Sequence, residues 1–140
     1  MNRVFLDTGY LIALEASDDQ HHEEAIRHWK TSLPDISSIV TTTYVFDEVV
    51  TFFNSRGHHA KAVEIGTRLL KSPRVEVVRV TEERFGAGWR RFQDRSDKRY
   101  SLTDCISFIV MERRGLDEAL AFDQHFEQAG YQTLPSQRGT

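Results

Sequence analysis

The amino-acid sequence predicts an α/β fold in which helices cover both faces of a parallel β-sheet. Short apolar runs typical of buried strands alternate along the chain with longer segments of helical periodicity. Two of these runs, 4–6 and 119–122, stop at a carboxylate, Asp7 and Asp123 respectively. A buried strand that delivers a side chain to the carboxyl edge of a parallel sheet ends in this way.

Each element is justified by periodicity or by the residues that end it. Helical spacing of apolar residues identifies segment 22–33, which Pro34 ends, and segment 42–54, which Gly57 ends. Segment 74–80 is the strand with the highest β-branched content. In chain order, the predicted strands are 3–6, 37–40, 74–80, 118–122 and 131–134, and the predicted helices are 9–16, 22–33, 42–54, 59–70, 82–95 and 101–114.

Length and composition indicate one ordinary globular domain. The chain has 140 residues, 39% of them hydrophobic, and a net charge of −3. We expect one domain over 1–140, with 136–140 as a flexible tail. No apolar stretch reaches the roughly 20 residues that cross a bilayer, and the N-terminus does not read as a secretion signal. Cys105 is the only cysteine, which excludes an intrachain disulfide, fits a reducing cytoplasm and predicts a buried core thiol.

Four acidic side chains are expected to converge although they are far apart in the sequence. Asp7 and Asp123 end strands, Glu48 lies on the flank of the buried face of its helix, and Asp104 lies in the first turn of another helix. Carboxylates gathered without cations repel one another and raise each other's pKa values. Such a cluster is typical of a site for a hard divalent metal ion, which prefers oxygen ligands.

Each acid also has a purely structural interpretation. Asp7 and Asp123 could cap the helices that follow them, with Thr8 as an alternative cap or substrate contact. Glu48 could be a solvated surface residue. Asp104 stands three residues after Ser101, the spacing of a capping box.

A basic segment precedes the helix that carries Asp104. Its default interpretation is a solvated helix face, but a basic shelf beside an acidic pocket would suit a polyanion such as RNA. The candidate RNA-binding residues in this segment are Arg90, Arg91, Arg95, Lys98 and Arg99.

The histidines do not suggest a ligand set. His21 and His22 are adjacent, as are His58 and His59, so the members of each pair point in different directions on a helix. His125 is isolated in the sequence. No Cys/His spacing indicates zinc.

Four pieces of the chain together resemble the PIN-domain family, over roughly 3–134. They are Phe5-Leu6-Asp7-Thr8, the segment 45–50 around Glu48, the segment 97–108 and Ala121-Phe122-Asp123-Gln124-His125-Phe126. The third piece is the most specific, and it looks most like the VapC-type toxins of type II toxin–antitoxin pairs. One departure is Gly9-Tyr10, where many relatives have a small polar residue.

The resemblance implies a three-layer α/β/α sandwich around a parallel sheet of four or five strands. It implies an endoribonuclease dependent on Mg²⁺ or Mn²⁺, a homodimer and a small antitoxin partner. The implied catalytic and metal-binding residues are Asp7, Glu48, Asp104 and Asp123, with Asp97, Thr8, Ser101 and Thr103 as secondary candidates.

Two other interpretations compete with this one. A PIN fold that has lost catalysis could bind RNA or a protein partner, but the four acids are all present. A Mg²⁺-binding receiver-like regulatory domain also clusters acids at the end of a parallel sheet. Here, however, the second predicted strand ends Ile39-Val40-Thr41 without an acid, and no lysine follows Lys98.

Overall fold

The sheet has five parallel strands in the order β3-β2-β1-β4-β5. The computed structural model describes residues 2–136. The strands are β1 (Asn2–Leu6), β2 (Ile36–Thr42), β3 (Val75–Val78), β4 (Glu118–Leu120) and β5 (Gln132–Leu134). The helices are α1 (Thr8–Glu15), α2 (His22–Ser32), α3 (Thr43–Ser55), α4 (His59–Lys71), α5 (Glu82–Asp94), α6 (Leu102–Arg114) and α7 (His125–Gln128).

The strand order reverses beside β1, and this position determines where a ligand can enter. From β1 the chain moves outward to β2 and β3, and then returns to place β4 and β5 on the other side. Phe5 pairs with Val40 of β2 on one side and with Ala119 of β4 on the other. In open α/β sheets, ligands bind at the carboxyl ends of the strands where the order reverses. Asp7 follows β1 directly at this point.

Helices form a layer on each face of the sheet. Helix α1 contacts α2 and α3, and α3 contacts α4, whereas α6 contacts α5 and α7. Right-handed crossovers place the first group on one face and the second on the other. Helix α6 is the most deeply buried element, with nine consecutive buried residues from Thr103 to Met111.

The predicted fold is confirmed, including the upper strand number of five. Cys105 is a buried free thiol, as expected. The chain does not leave its helical path at Pro34, because a 3₁₀ turn over Leu33–Asp35 continues α2 before β2 begins. Strands β3 and β4 are shorter than the predicted 74–80 and 118–122. Asp7 follows its strand directly, whereas Asp123 does not, because β4 already ends at Leu120. Of the predicted flexible tail, 137–140 lie outside the described residues.

None of the helices in the described part of the chain is both long and apolar enough to span a bilayer.

Candidate active site

Asp7 lies at the carboxyl end of the central strand. Its backbone N–H donates to the carbonyl of Leu120 over 3.0 Å, which continues the β1–β4 pairing past the end of β1. The residue occupies the N-cap position of α1, but its side chain makes no capping hydrogen bond there. The carboxylate is buried at the start of α1 without the usual capping hydrogen bond, although Asp is a favoured capping residue.

Glu48 is connected to the end of β1 by a hydrogen bond. The hydroxyl of Thr8 donates to Glu48 Oε1 over 2.6 Å, across 40 positions of sequence. Both Glu48 and Asp47 are exposed. Asp47 forms a 3.4 Å contact with Thr51 one turn along α3, so it remains on its own helix. Of these two neighbouring acids, Glu48 is therefore the one that reaches the end of β1.

Asp104 both contributes to the cap of α6 and belongs to the acidic cluster. Its side chain accepts from the Ser101 N–H over 3.0 Å, and its own N–H donates to Ser101 Oγ over 2.9 Å, which completes the capping box. The carboxylate is buried. Capping and participation in the acidic cluster are therefore compatible, because Oδ2 serves the cap and the carboxylate has a second oxygen.

Asp123 lies three residues beyond the end of β4 and leads into α7. Its Oδ1 accepts from the backbone N–H of His125 over 3.0 Å, a turn that aspartate favours. This turn brings the His125 imidazole back toward α6, where Nδ1 lies 2.7 Å from Asp104 Oδ2. In the tautomer that carries its proton on Nδ1, His125 donates this hydrogen bond and the carboxylate oxygen accepts it.

The pKa values record the mutual proximity of the acids. Burial raises the pKa of Asp7 well above its ordinary value of 3.8. The carboxylates of Asp123, Asp104 and Glu48 raise that pKa further, in this order, and a hydrogen bond from the Thr8 backbone opposes the rise. Burial, followed by the charge of Asp104, also raises the pKa of Asp123. The other three predicted acids therefore all lie within electrostatic reach of Asp7.

The donor set suits a divalent cation. Oxygens of Asp104 and Asp123 and a ring nitrogen of His125 lie within 4.8 Å of one another. Asp7 adds a buried carboxylate whose ionised form is disfavoured until a positive charge arrives. Carboxylate oxygens with at most one imidazole favour Mg²⁺ or Mn²⁺ over softer metals.

The secondary candidates and basic residues are distributed unevenly. A cavity of about 780 Å³ opens beside the cluster, and Asp97, Lys98 and Arg99 line it together with Asp123. Arg91 forms an ion pair with Glu112 of α6 over 2.7 Å. Further from the acids along the basic segment, Arg90 and Arg95 are exposed on and after α5, whereas Thr103 is buried within α6.

Sequence reasoning missed the contribution of His125. Its sequence neighbours gave one signal, because it stands two residues after the aspartate that ends the apolar run 119–122. The partner that gives it a role, Asp104, is 21 positions away and is reached only through folding.

Known proteins resemble this chain over most of its length. Residues 4–130 match the PIN domain family. The chain is 33% identical over 129 residues to the 23S rRNA-specific endonuclease VapC20 of Mycobacterium tuberculosis, covering 91% of this chain and 95% of the relative, in two strains. A crystal structure of M. tuberculosis VapC20, described as a sarcin-ricin loop cleaving toxin, superimposes with a TM-score of 0.83. The identity there is 30%, with coverage of 91% of this chain and 95% of that one.

Proposed function

We propose that this chain, which belongs to the PIN-domain family, is a metal-dependent endoribonuclease and the toxin of a toxin–antitoxin pair. The observation that carries the proposal is the convergence of Asp7, Glu48, Asp104 and Asp123 at the point where the strand order reverses. The similarity to an RNA-cleaving relative over 91% of the chain supports the same activity. An RNA substrate also implies action in the cytoplasm.

The acidic residues would hold Mg²⁺ or Mn²⁺ as a cofactor. Asp7, Asp104 and Asp123 are the central ligands, and Glu48 contributes from the side of α3 while Thr8 restrains it. When bound, the metal supplies positive charge that polarises the scissile phosphate and makes water a better nucleophile.

The protein itself supplies orientation and selective positioning of charge. Asp104 or Asp123 orients the attacking water, and His125 holds the Asp104 carboxylate through its Nδ1–H. Lys98 and Arg99 stand on the adjoining cavity, where they can neutralise flanking phosphates. Water forms a new bond to phosphorus, the P–O3′ bond breaks, and the 3′ oxygen leaves with a proton.

The products of cleavage test this mechanism. Purified protein with Mn²⁺ should cut RNA into fragments with 5′-phosphate and 3′-hydroxyl ends, and EDTA should stop the reaction reversibly. The control is Asp47→Asn, which removes an exposed acid on the same helix as Glu48 and should retain activity. Full activity in EDTA, or 2′,3′-cyclic phosphate ends, would contradict the mechanism, because the latter result from attack by the ribose 2′-hydroxyl.

Ribosomal RNA is the first substrate class to test. The relative is a 23S rRNA-specific endonuclease, and its structure is described as that of a sarcin-ricin loop cleaving toxin. We infer a structured ribosomal RNA loop as substrate here by extension from that relative. A fragment containing that loop should be cleaved at one position, whereas an unstructured control RNA should be cleaved weakly or at many positions.

A small antitoxin and a second copy of the chain are the proposed protein partners. An acidic pocket with a basic rim can accept an arginine from an inhibitor, because guanidinium pairs bidentately with carboxylates. Co-expression with the product of an adjacent short gene should relieve toxicity and yield a complex. Persistent toxicity without a complex would exclude that gene product as the antitoxin.

A further inference from the structure

A row of aromatic rings leads from the protein interior to the cavity beside the acids. The rings of Tyr10 and Phe122 are stacked with centroids 5.4 Å apart and an interplanar angle of 12°. Those of Phe122 and His21 are stacked with centroids 4.4 Å apart and an angle of 3°. Tyr10 is fully buried, whereas 38% of the His21 side chain is exposed. His21 is therefore the solvent-facing end of the row.

Polar contacts restrain both ends of the row. The Tyr10 hydroxyl lies 2.8 Å from Nδ1 of His28 at the buried end. At the exposed end, the His21 backbone N–H donates to Asp19 Oδ1 over 2.8 Å, and Glu24 Oε1 lies 3.7 Å from the His21 ring. An aromatic ring fixed in this way loses little conformational freedom when a planar group stacks on it.

The cavity that His21 lines has the chemistry of a nucleotide site. His21, Phe122 and Asp123 line the same space of about 780 Å³, so the stack ends in the cavity that reaches the candidate cleavage site. Lys98 and Arg99 line it and offer positive charge to phosphates. Carboxamides lie there as well, and each carries both donors and an acceptor for the edge of a base. They belong to Gln20, Gln124 and Gln128.

We propose that His21, stacked on Phe122, is a platform for an unpaired nucleobase next to the phosphodiester that is cut. This inference rests on the proposed ribonuclease function and adds to it a residue that selects the substrate. A base has a planar π-face that stacks on aromatic side chains. A platform beside the acids admits a nucleotide whose base is splayed out of a helix, so it favours loops over duplexes. His21 acts on binding and cleavage position, not on the chemical step.

The test measures RNA affinity without cleavage. Asp7→Asn protein is used to measure dissociation constants for a labelled ribosomal RNA loop, after the scissile phosphate has been mapped with the wild-type chain. Each nucleotide flanking that phosphate is then replaced in turn by an abasic residue, which keeps the phosphate and removes the base. We expect one flanking position to lose affinity by about fivefold to about a hundredfold, the range that one base stack contributes.

Variants of His21 link that loss to the platform. In Asp7→Asn/His21→Ala protein, affinity for the intact RNA should fall by a similar factor, and the abasic replacement should then have little further effect. His21→Phe should preserve the stack and the sensitivity to the abasic position. His58→Ala is the matched control, because His58 is exposed before α4, outside the cavity lining.

The possible outcomes separate the two proposals. If Asp7→Asn protein binds RNA but no abasic position lowers the affinity, the proposal of a His21 platform is wrong, while the proposed ribonuclease function is unaffected. The platform is also wrong if His21→Ala retains full sensitivity to the abasic position. If the wild-type chain cleaves no RNA and Asp7→Asn protein binds none, the proposed function itself fails. The abasic scan uses no His21 variant. A scan in which no base contributes affinity would therefore overturn the platform proposal even if His21→Ala misfolds.

Discussion

His125 Nδ1 lies 2.7 Å from Asp104 Oδ2, the same oxygen that accepts the Ser101 backbone N–H over 3.0 Å. Two donors from different elements thus converge on one carboxylate oxygen, and Oδ1 remains to serve a cation. The imidazole itself is positioned by Asp123, which accepts from the His125 backbone N–H. One acid of the cluster therefore orients another through this histidine.

His125 should strengthen metal binding by orienting Asp104. Asparagine can place Nδ2 where Nδ1 of histidine stands, whereas glutamine cannot. We therefore expect His125→Gln to weaken Mn²⁺ affinity by about 10- to 100-fold, as removal of an orienting partner typically does. His125→Asn should lose much less of the Mn²⁺ affinity. Calorimetric titration of Mn²⁺ into the RNA-free protein measures this, and equal affinities for the two variants would contradict the role.

Asp7→Asn should abolish cleavage and leave the metal-free protein more stable near neutral pH. The substitution retains the size of the side chain but removes a buried charge that three other carboxylates repel. Each unit by which folding raises the pKa of Asp7 corresponds to a cost of about 1.4 kcal/mol to the folded state when Asp7 is ionised. The neutral asparagine avoids this cost. Urea unfolding of both proteins in EDTA gives the difference in free energy of unfolding.

The pH dependence of that difference has a defined sign. Because the folded-state pKa of Asp7 is raised, its contribution is fully present below its ordinary value of 3.8 and is lost as pH rises through the folded-state pKa. The stability advantage of Asp7→Asn should therefore be small below pH 3.8, grow with pH and then level off. A difference that is constant across this window would mean that Asp7 is not perturbed.

Thr8 should matter for Glu48 and little for the fold. Thr8→Val removes the hydroxyl that donates to Glu48 Oε1 and preserves the shape of the side chain. We expect cleavage to fall by about tenfold, the loss that about 1.4 kcal/mol of transition-state stabilisation produces. Because this hydrogen bond is exposed, the free energy of unfolding should change by less than about 1 kcal/mol. Thr8→Ser retains the hydroxyl and should retain activity in steady-state assays.

Local sequence patterns predicted the parts of the site that local structure builds. The Ser101–Asp104 spacing predicted the capping box, and the apolar run before Asp7 predicted a strand end at the carboxyl edge of the sheet. The run before Asp123 predicted a strand there too, but that strand ends at Leu120. The links that join these parts were not predictable. Thr8 and Glu48 are 40 positions apart, and His125 and Asp104 are 21 apart. Such pairs are set by strand order and helix packing, which no short-range periodicity records.

The α3–α4 surface is where we expect a second copy of the chain. Val63 and Leu70 are 52% and 65% exposed, and they line a cavity of about 390 Å³ together with Phe46. Exposed apolar clusters of this kind mark interaction surfaces. Leu70→Asp should shift a dimer toward the 16.2 kDa monomer in sedimentation, whereas Lys71→Asp, one position along and also exposed, should not. Wild-type protein that is monomeric at micromolar concentration would contradict the homodimer.

Two glycines of α5 should respond to alanine in opposite ways. A Cβ on Gly88 would overlap Ile106 Cγ1 and lie 3.3 Å from the Ile106 Cα, because α5 and α6 pack closely there. A Cβ on Gly86 would meet only the guanidinium of Arg90 at 3.6 Å, an ordinary contact. Gly86→Ala should therefore stabilise the protein by about 0.5–1 kcal/mol, the usual gain in a helix. Gly88→Ala should destabilise it by about 1–3 kcal/mol through overpacking.

The Gly88 substitution should also impair activity, because α6 carries Asp104 near its start. Ile106 lies two positions after Asp104 in α6. A methyl group on Gly88 that pushes Ile106 away from α5 therefore displaces the helix close to that carboxylate. We expect Gly88→Ala to weaken Mn²⁺ affinity and cleavage at temperatures where the protein is still folded, while Gly86→Ala leaves both unchanged. Thermal unfolding and metal titration on the same samples separate the two effects. Normal metal affinity in a destabilised Gly88→Ala protein would show that α5 packing supports the fold without positioning Asp104.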